Sequence, residues 1–411
     1  MTLRPNLGIM YFTMSQTPLN TTQATPNLAI SKFRIQNFKA IRDSGDIEFT
    51  PLTVFVGANG VGKSSLVEGL ETLKKVSREG LNQAFQNWQG FEHICNRTAQ
   101  SGDNSHQSPM TFKINGNEEV GYSGRMYSAY CAVIAHKEPH SVGFLKEELQ
   151  SWEEGGATRK ATRTSEGIEF GEIDRNGEYH SIESSARMAH RSILARLGCL
   201  GLWQFVRLNP VAMIHSERLN QATGYVSLAT DGSNIAEYLL DIQQKDPSVM
   251  QGIVETVQCV LPYVNDVQPV LTTETVRFAH LQLTEQSSAI PGWLFSSGTL
   301  RLVSLLALVR HPKPPPLIVI EEIENGLDPS TIAMIVEEIR EVVRTGKSQI
   351  VLTTHSPYLM NLLPLKSLML VERVDGEPRF FRPANDESLA RWSEDFAPGD
   401  LYAMGRRRRN P

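Results

Sequence analysis

The sequence predicts an α/β fold built on a mixed, mostly parallel sheet with an inserted α/β middle region, and two stretches of it carry that reading. In the first, the apolar run "LTVFV" passes through the glycine-rich "GANGVGKSS" into a pattern in which Leu66, Val67, Leu70, Leu73 and Val76 share one helical face. In the second, two apolar runs, "LIVI" and "QIVLTT", flank a helical pattern from about Ser330 to Arg344. Strands too apolar to face water, alternating with helices, belong to a sheet covered on both faces.

Taken in order, residues 1–27 read as a disordered leader and 28–80 as an N-terminal lobe. In that lobe "ISKFRIQNF", "DIEF" and "LTVFVG" make three short strands ahead of the glycine-rich loop. Residues 81–200 form the inserted region, with strands in "MTFKI", "SAYCAVIAH" and "GIEFGEIDRNGEYHSI", a helix in "FLKEELQSW" and a loop in "EEGGATRKATRTSEG". Helical spacing returns in "ARMAHRSILARLGCLGLWQFV", "SNIAEYLLDIQQ" and "VMQGIVETVQCVL", followed by a strand in "TVRFAHLQLTEQ". The C-terminal lobe, 201–400, adds a turn and helix in "LFSSGTLRLVSLLALV" and a final hairpin around "LMLVERVDGEPRFFRP". A basic tail, 401–411, closes the chain.

Composition narrows the function. A net charge of −5, from 45 acidic and 40 basic residues, argues against a protein coated in positive charge, so nucleic-acid binding needs a local basic face. No apolar run approaches the roughly 20 residues that cross a bilayer. Cys95, Cys131, Cys199 and Cys259 are far apart without a CxxC pair, and no histidine cluster has ligand spacing, so neither a disulfide framework nor a zinc site is expected.

The chemistry concentrates in four motifs. Gly57, Gly62, Lys63 and Ser64 satisfy G-x-x-x-x-G-K-[ST], the phosphate-binding loop. Backbone N–H groups from Gly57, Ala58, Asn59, Gly60, Val61, Gly62, Lys63, Ser64 and Ser65 surround phosphate there, Lys63 supplies a point charge, and the Ser64 hydroxyl suits Mg²⁺. Glu321 and Glu322 end the apolar "LIVI", which turns one carboxylate toward the loop to hold hydrated metal and the next toward attacking water. His355 ends another apolar strand, where it either contacts a γ-phosphate or sits as a partly buried histidine. "FSSGTLR", Phe295 to Arg301, presents hydroxyl and N–H groups before a helix, for an anion or simply as a cap.

In this order, loop, Ser-Gly turn, paired acids, "GLDP" and strand-end histidine, the motifs resemble the ATP-binding-cassette class of ATPase. More narrowly, "FRIQNFKAIRDS" before the loop, "SSGTLRLVSLLAL", "IEEIENGLDP" and "TTHSPYLMNLL" resemble its RecF, SMC and OLD branch, notably the AAA-like ATPases of bacterial defence operons. The resemblance covers 28–75 and 290–362. It implies an ABC-ATPase head that uses ATP and Mg²⁺, is cytoplasmic, and sandwiches ATP between two copies. Ser296 and Gly298 then meet the γ-phosphate held by the partner's Lys63, with Asn59 and Asp328 at the shared interface. Lys63, Glu322 and His355 are the implied catalytic residues, His355 as the γ-phosphate sensor. Ser64 and Glu321 are the metal ligands. The chain departs from the pattern with Glu321 in place of Asp, Ile323 in place of Pro and Asp328 where His is common. It leaves the metal-contacting glutamine unplaced, with Gln86 and Gln89 as candidates.

The resemblance implies no membrane partner, and two machines remain. The first controls a separate effector, a nuclease or toxin, as in two-component anti-phage systems of the Septu or PARIS kind. The second is a RecF-like repair ATPase that clamps duplex DNA. For the second, Arg159, Lys160 and Arg163, or Arg187, Arg191 and Arg196, supply phosphate contacts or merely form solvated faces. Arg406 to Arg409 reads as a nucleic-acid or acidic-partner contact or a solvated tail. The span between the loop and the Ser-Gly turn lacks sustained heptads, which excludes a long coiled-coil arm, and too little chain follows His355 for an appended nuclease domain.

Overall fold

The computed structural model describes residues 28–86, 88, 90–96, 108–120, 123–135, 142–154, 156–164, 167–185, 191–214, 217–218, 226–272, 278–387, 389 and 396–404. The leader, Gln89, Arg187 and the Arg406 to Arg409 tail lie outside the described residues.

The centre is a six-stranded sheet. In chain order its members are β4 (Leu52–Val56), β11 (Gln204–Val206), β16 (Leu317–Ile320), β17 (Gln349–Thr354), β18 (Leu368–Val374) and β19 (Glu377–Phe381), numbered among all strands of the chain. In space the order is β11-β16-β17-β4-β18-β19, parallel throughout except for the last hairpin. The mostly parallel core expected from the sequence is therefore present.

Its strands are apolar on both faces because both are covered. Val54 and Val56, Ile318 and Ile320, and Ile350 and Leu352 point into one cluster. Phe55, Leu317, Val319 and Val351, one register step away, point into the other. The first cluster is closed by α5 (Ile235–Lys245), α6 (Pro247–Val260), α7 (Ser297–Val309) and α8 (Pro329–Arg344). A small sheet of β12 (Glu217–Arg218), β13 (Val264–Leu271), β14 (Phe278–Glu285) and β15 (Ser288–Pro291) completes that side. On the second side lie α1 (Lys63–Glu79) and a long antiparallel sheet.

That antiparallel sheet joins the start of the chain to the inserted region. It comprises β1 (Lys32–Phe38), β2 (Ile41–Asp43), β3 (Ile47–Glu48), β5 (Met110–Val120), β6 (Ser123–Ala135), β7 (Val142–Trp152), β8 (Thr158–Thr164), β9 (Gly167–Ile173) and β10 (Tyr179–Ser185). Four strands, not three, precede the phosphate loop, because "FRIQNFKAIRD" folds back on itself as β1 and β2.

Three local expectations are overturned. "FLKEELQSW" lies within strand β7: Glu147 and Leu149 face the core and alternate with half-buried Glu148 and Gln150, while Leu145 is exposed where the register shifts, so the charged composition disguises a period of two as helical. The stretch read as a loop contains strand β8, whose Thr158, Thr162 and Thr164 suit a pleated surface. In the segment running from "SILAR" to "WQFV" a 3₁₀ turn, Ile193–Arg196, precedes a short α3 (Gly198–Leu202), and "QFV" becomes β11 at the sheet edge, paired with β16. Gly198 and Gly201 weaken the helix there, and pairing with a buried strand decides the outcome.

Glu147 of β7 ties the inserted sheet to that segment. Its side chain is wholly buried, and it accepts hydrogen bonds from Ser192 Oγ (2.5 Å), Arg163 Nε (2.8 Å) and the Ile193 amide (3.4 Å). Arg163 is therefore part of an internal cross-link, neither a free phosphate contact nor a solvated face, and its Nη2, also paired with Glu147, donates to the Arg191 carbonyl.

Candidate nucleotide site

The site gathers at the carboxyl ends of three neighbouring parallel strands, β4, β17 and β16. The phosphate loop follows β4, His355 follows β17, and Glu321 and Glu322 follow β16. Loops leaving that edge of a parallel sheet share one crevice, so segments far apart in sequence meet there.

Two of the loop's glycines, Gly57 and Gly62, are sterically required. A Cβ on Gly57 would stand 2.4 Å from the Val371 carbonyl oxygen of β18, and Gly62, at φ 114°, faces Pro378 of β19. The final hairpin thus clamps the loop from behind. Gly62 leads into α1 without a side-chain cap, which leaves the first amides of that helix open to an anion. Lys63 is buried and its ammonium donates to the carbonyls of Gly57 (2.7 Å) and Ala58 (2.9 Å). Burial lowers its pKa, against the opposing pull of Glu322, Glu324 and Glu321.

Ser64 lies near Glu321, and its hydroxyl helps to lower the carboxylate's pKa. An all-oxygen pair of hydroxyl and carboxylate suits Mg²⁺. Glu321 is buried, and burial raises its pKa despite Arg207 and Ser64. Arg207, directly after β11, donates from Nε (3.0 Å) and from an Nη to the same oxygen, Glu321 Oε1. Gln86 is exposed at the end of α2 (Leu81–Gln86), and among the described residues Arg207 is a long side chain that reaches Glu321 from outside the phosphate loop.

Glu322 adopts φ 48°, a left-handed conformation that costs a glutamate energy and is held by its surroundings. Its amide donates to Thr353 Oγ1 (3.0 Å), and its carboxylate accepts from Asn325. Arg301 of α7 feels the Glu322 charge, although burial depresses the arginine's pKa overall. Arg207 and Arg301 line one open groove of about 530 Å³ with Leu208, Asn209, Thr230 and Asp231.

His355 is partly exposed, and its Nδ1 stands 3.1 Å from Glu324 Oε1. The Ser-Gly turn caps α7: Ser296 Oγ accepts from the Thr299 amide (3.0 Å). A Cβ on Gly298 would meet the Gly326 carbonyl at 2.8 Å, so the turn packs on the loop after the paired acids. Asp328 caps α8, accepting from Ser330 and Thr331, and these bonds hold its pKa far below the usual carboxylate range. Asn59 is exposed at the tip of the phosphate loop.

Sequence reasoning passed over Arg207, Arg301 and Glu324. Arg207 was hidden by the helical reading of "LWQFV", whereas Arg301 and Glu324 lie inside quoted motifs, where only tertiary contact gives them a role.

Comparison with known proteins finds family matches in both halves of the chain. Residues 29–138 match a family described as "AAA ATPase domain", and residues 267–361 match "AAA domain, putative AbiEii toxin, Type IV TA system". No curated protein matches the chain. Among solved structures, an SMC head bound to the C-terminal winged-helix domain of ScpA is similar over 86% of this chain and 96% of its own, at 14% identity and a TM-score of 0.50. An SMC head with coiled coil and joint from Pyrococcus yayanosii is similar over 89% of this chain and 99% of its own, at 11% identity and a TM-score of 0.50. The chain has the ABC-ATPase head fold, and its two segments that match AAA ATPase families support an ABC-like P-loop ATPase. Among the described residues no helix is long and apolar enough to cross a membrane.

Proposed function

We propose that this chain hydrolyses ATP between two of its own copies and uses that cycle to control a separate effector, a nuclease or toxin, in bacterial anti-phage defence. The observation that carries the reading is the position of the Ser-Gly turn. It packs on Gly326, in the loop after the paired acids, while Lys63 is turned onto the Gly57 and Ala58 carbonyls of its own loop. A second copy supplies the complementary half: its Ser296 and Gly298 close over the phosphate on the first copy's Lys63.

Within one copy the roles divide by position. Backbone amides from Gly57 to Ser65 hold the phosphates, and Ser64 with Glu321 holds Mg²⁺, which neutralises phosphate charge. Glu322, fixed by Thr353 and Asn325, orients the attacking water, and His355 contacts the γ-phosphate. Exposed Trp293 and Leu294, just before Ser296, supply apolar surface to the closing interface. The AbiEii description of the matched C-terminal segment supports a toxin-linked defence role. The lobes proposed are 28–80 and 201–400, with 81–200 as the insertion.

One observation favours the RecF-like alternative. Arg159, Lys160 and Arg196 line a single groove of about 430 Å³ together with Arg125, although Glu118 and Glu172 share it.

The test is the mass of the purified protein with and without ATP and Mg²⁺, for wild type and Glu322→Gln, beside their phosphate release. ATP-driven association that Glu322→Gln prolongs while losing hydrolysis supports the proposal. A mass indifferent to ATP, with hydrolysis intact in the variant, refutes it.

A further inference from the structure

Glu324 lies two residues beyond the paired acids, with a side chain only 8% exposed. One oxygen does all its bonding: Oε1 accepts from Thr354 Oγ1 (2.8 Å) and the His355 amide (2.8 Å), and faces His355 Nδ1 at 3.1 Å. The other oxygen, Oε2, is buried without a hydrogen-bond partner. The chain's carboxylates with plainly structural work differ. Glu147 engages both oxygens, with Ser192 on one and Arg163 and Ile193 on the other, and Asp328 engages both in capping α8. A buried carboxylate with one unpartnered oxygen costs stability, so the arrangement calls for an explanation.

The two partners on the chain end of β17 fix the backbone at His355, and the third fixes its ring. A carboxylate only accepts, so the ring nitrogen beside it carries the proton. Nε2 is then the free nitrogen of a half-exposed imidazole. We infer that Glu324 is a positioning residue for His355: it holds Nδ1–H and the ring plane so that Nε2 is the atom offered to the nucleotide. This rests on the reading of His355 as the γ-phosphate contact. Because the phosphate loop and not Glu324 holds the nucleotide, losing Glu324 slows turnover without weakening ATP binding.

The experiment has two readouts on the full-length chain. In the first, ATP hydrolysis is followed for Glu324→Gln, His355→Ala and the double variant. Expected are a kcat about 10- to 100-fold lower for Glu324→Gln with KM within about twofold. In the His355→Ala background Glu324→Gln then has little further effect, because it acts through that ring. Independent, multiplying losses overturn the inference, as does a raised KM at unchanged kcat. In the second, ¹⁵N-histidine NMR at a pH where the ring is neutral reads the tautomer, with His355→Ala assigning the signal. The Nδ1–H form is expected in wild type and its loss to Nε2–H in Glu324→Ala; an Nε2–H ring in wild type overturns the inference. If Glu324→Ala does not fold, wild type alone still decides this point. The NMR readout holds even if wild type proves not to hydrolyse ATP, so failure of the inference is distinguishable from failure of the proposed function.

Discussion

Two Glu–Arg pairs, one in each half of the molecule, look alike and do different work. In the inserted sheet Glu147 is wholly buried and Arg163 is 10% exposed; at the proposed nucleotide site Glu321 is 7% exposed and Arg207 is 49% exposed. Glu147 spends both oxygens on fixed neighbours, whereas Glu321 gives both Arg207 bonds a single oxygen and stands beside Ser64. Burial pushes both glutamates above their ordinary pKa, so burial of the acid does not tell them apart. What differs is the arginine. A buried arginine parted from its glutamate is itself stranded away from water, while a half-exposed one is rehydrated. The first pair is a cross-link, and the second belongs to the proposed nucleotide site.

The largest expected effect breaks the cross-link. Arg163→Met leaves Glu147 buried without its cation and costs about 3–5 kcal/mol of stability, read by thermal or denaturant melting, while ATP affinity is retained. Glu321→Gln should do the reverse. Phosphate release falls about 100-fold, equivalent to about 2.7 kcal/mol of barrier, with a melting temperature close to wild type. Equal stability losses in the two variants would erase the distinction between the pairs.

Smaller effects sharpen it. Arg207→Met removes a cation beside the proposed metal ligands, so the Mg²⁺ concentration for half-maximal ATP binding should fall several-fold, an effect limited by solvent screening. For Glu147 the sign follows from its raised folded-state pKa. The folded state keeps a proton that the unfolded state loses near the ordinary value of 4.5, so stability falls as pH rises through the window just above that value. Glu147→Gln should flatten that slope in a melting series across the window; an unchanged slope would mean that the titration lies elsewhere.

The same contrast explains what was readable in the sequence. The phosphate loop, the paired acids and His355 each end a buried strand and are local patterns, so their convergence follows from parallel topology alone. Strand β7 was not readable, because "FLKEELQSW" has helix-forming composition and only its neighbours β6 and β8 make it a strand. Arg207 and Glu324 carry no local signal; pairing of β11 with β16 delivers the first, and the close of β17 against the post-acid loop delivers the second. Asp328 shows the converse: a residue noted for its place in "GLDP" is also a helix cap, and the motif alone does not separate the two uses.

The central claim is that each nucleotide site takes its phosphate loop from one copy and its Ser-Gly turn from another. Mixing Lys63→Ala with Ser296→Arg tests it directly, once each variant is shown to fold and to associate with the other. Each alone should be inactive. Random pairing makes mixed dimers half of the total, each with one intact site, so about a quarter of wild-type phosphate release should return. A mixture as inactive as its components would contradict the account.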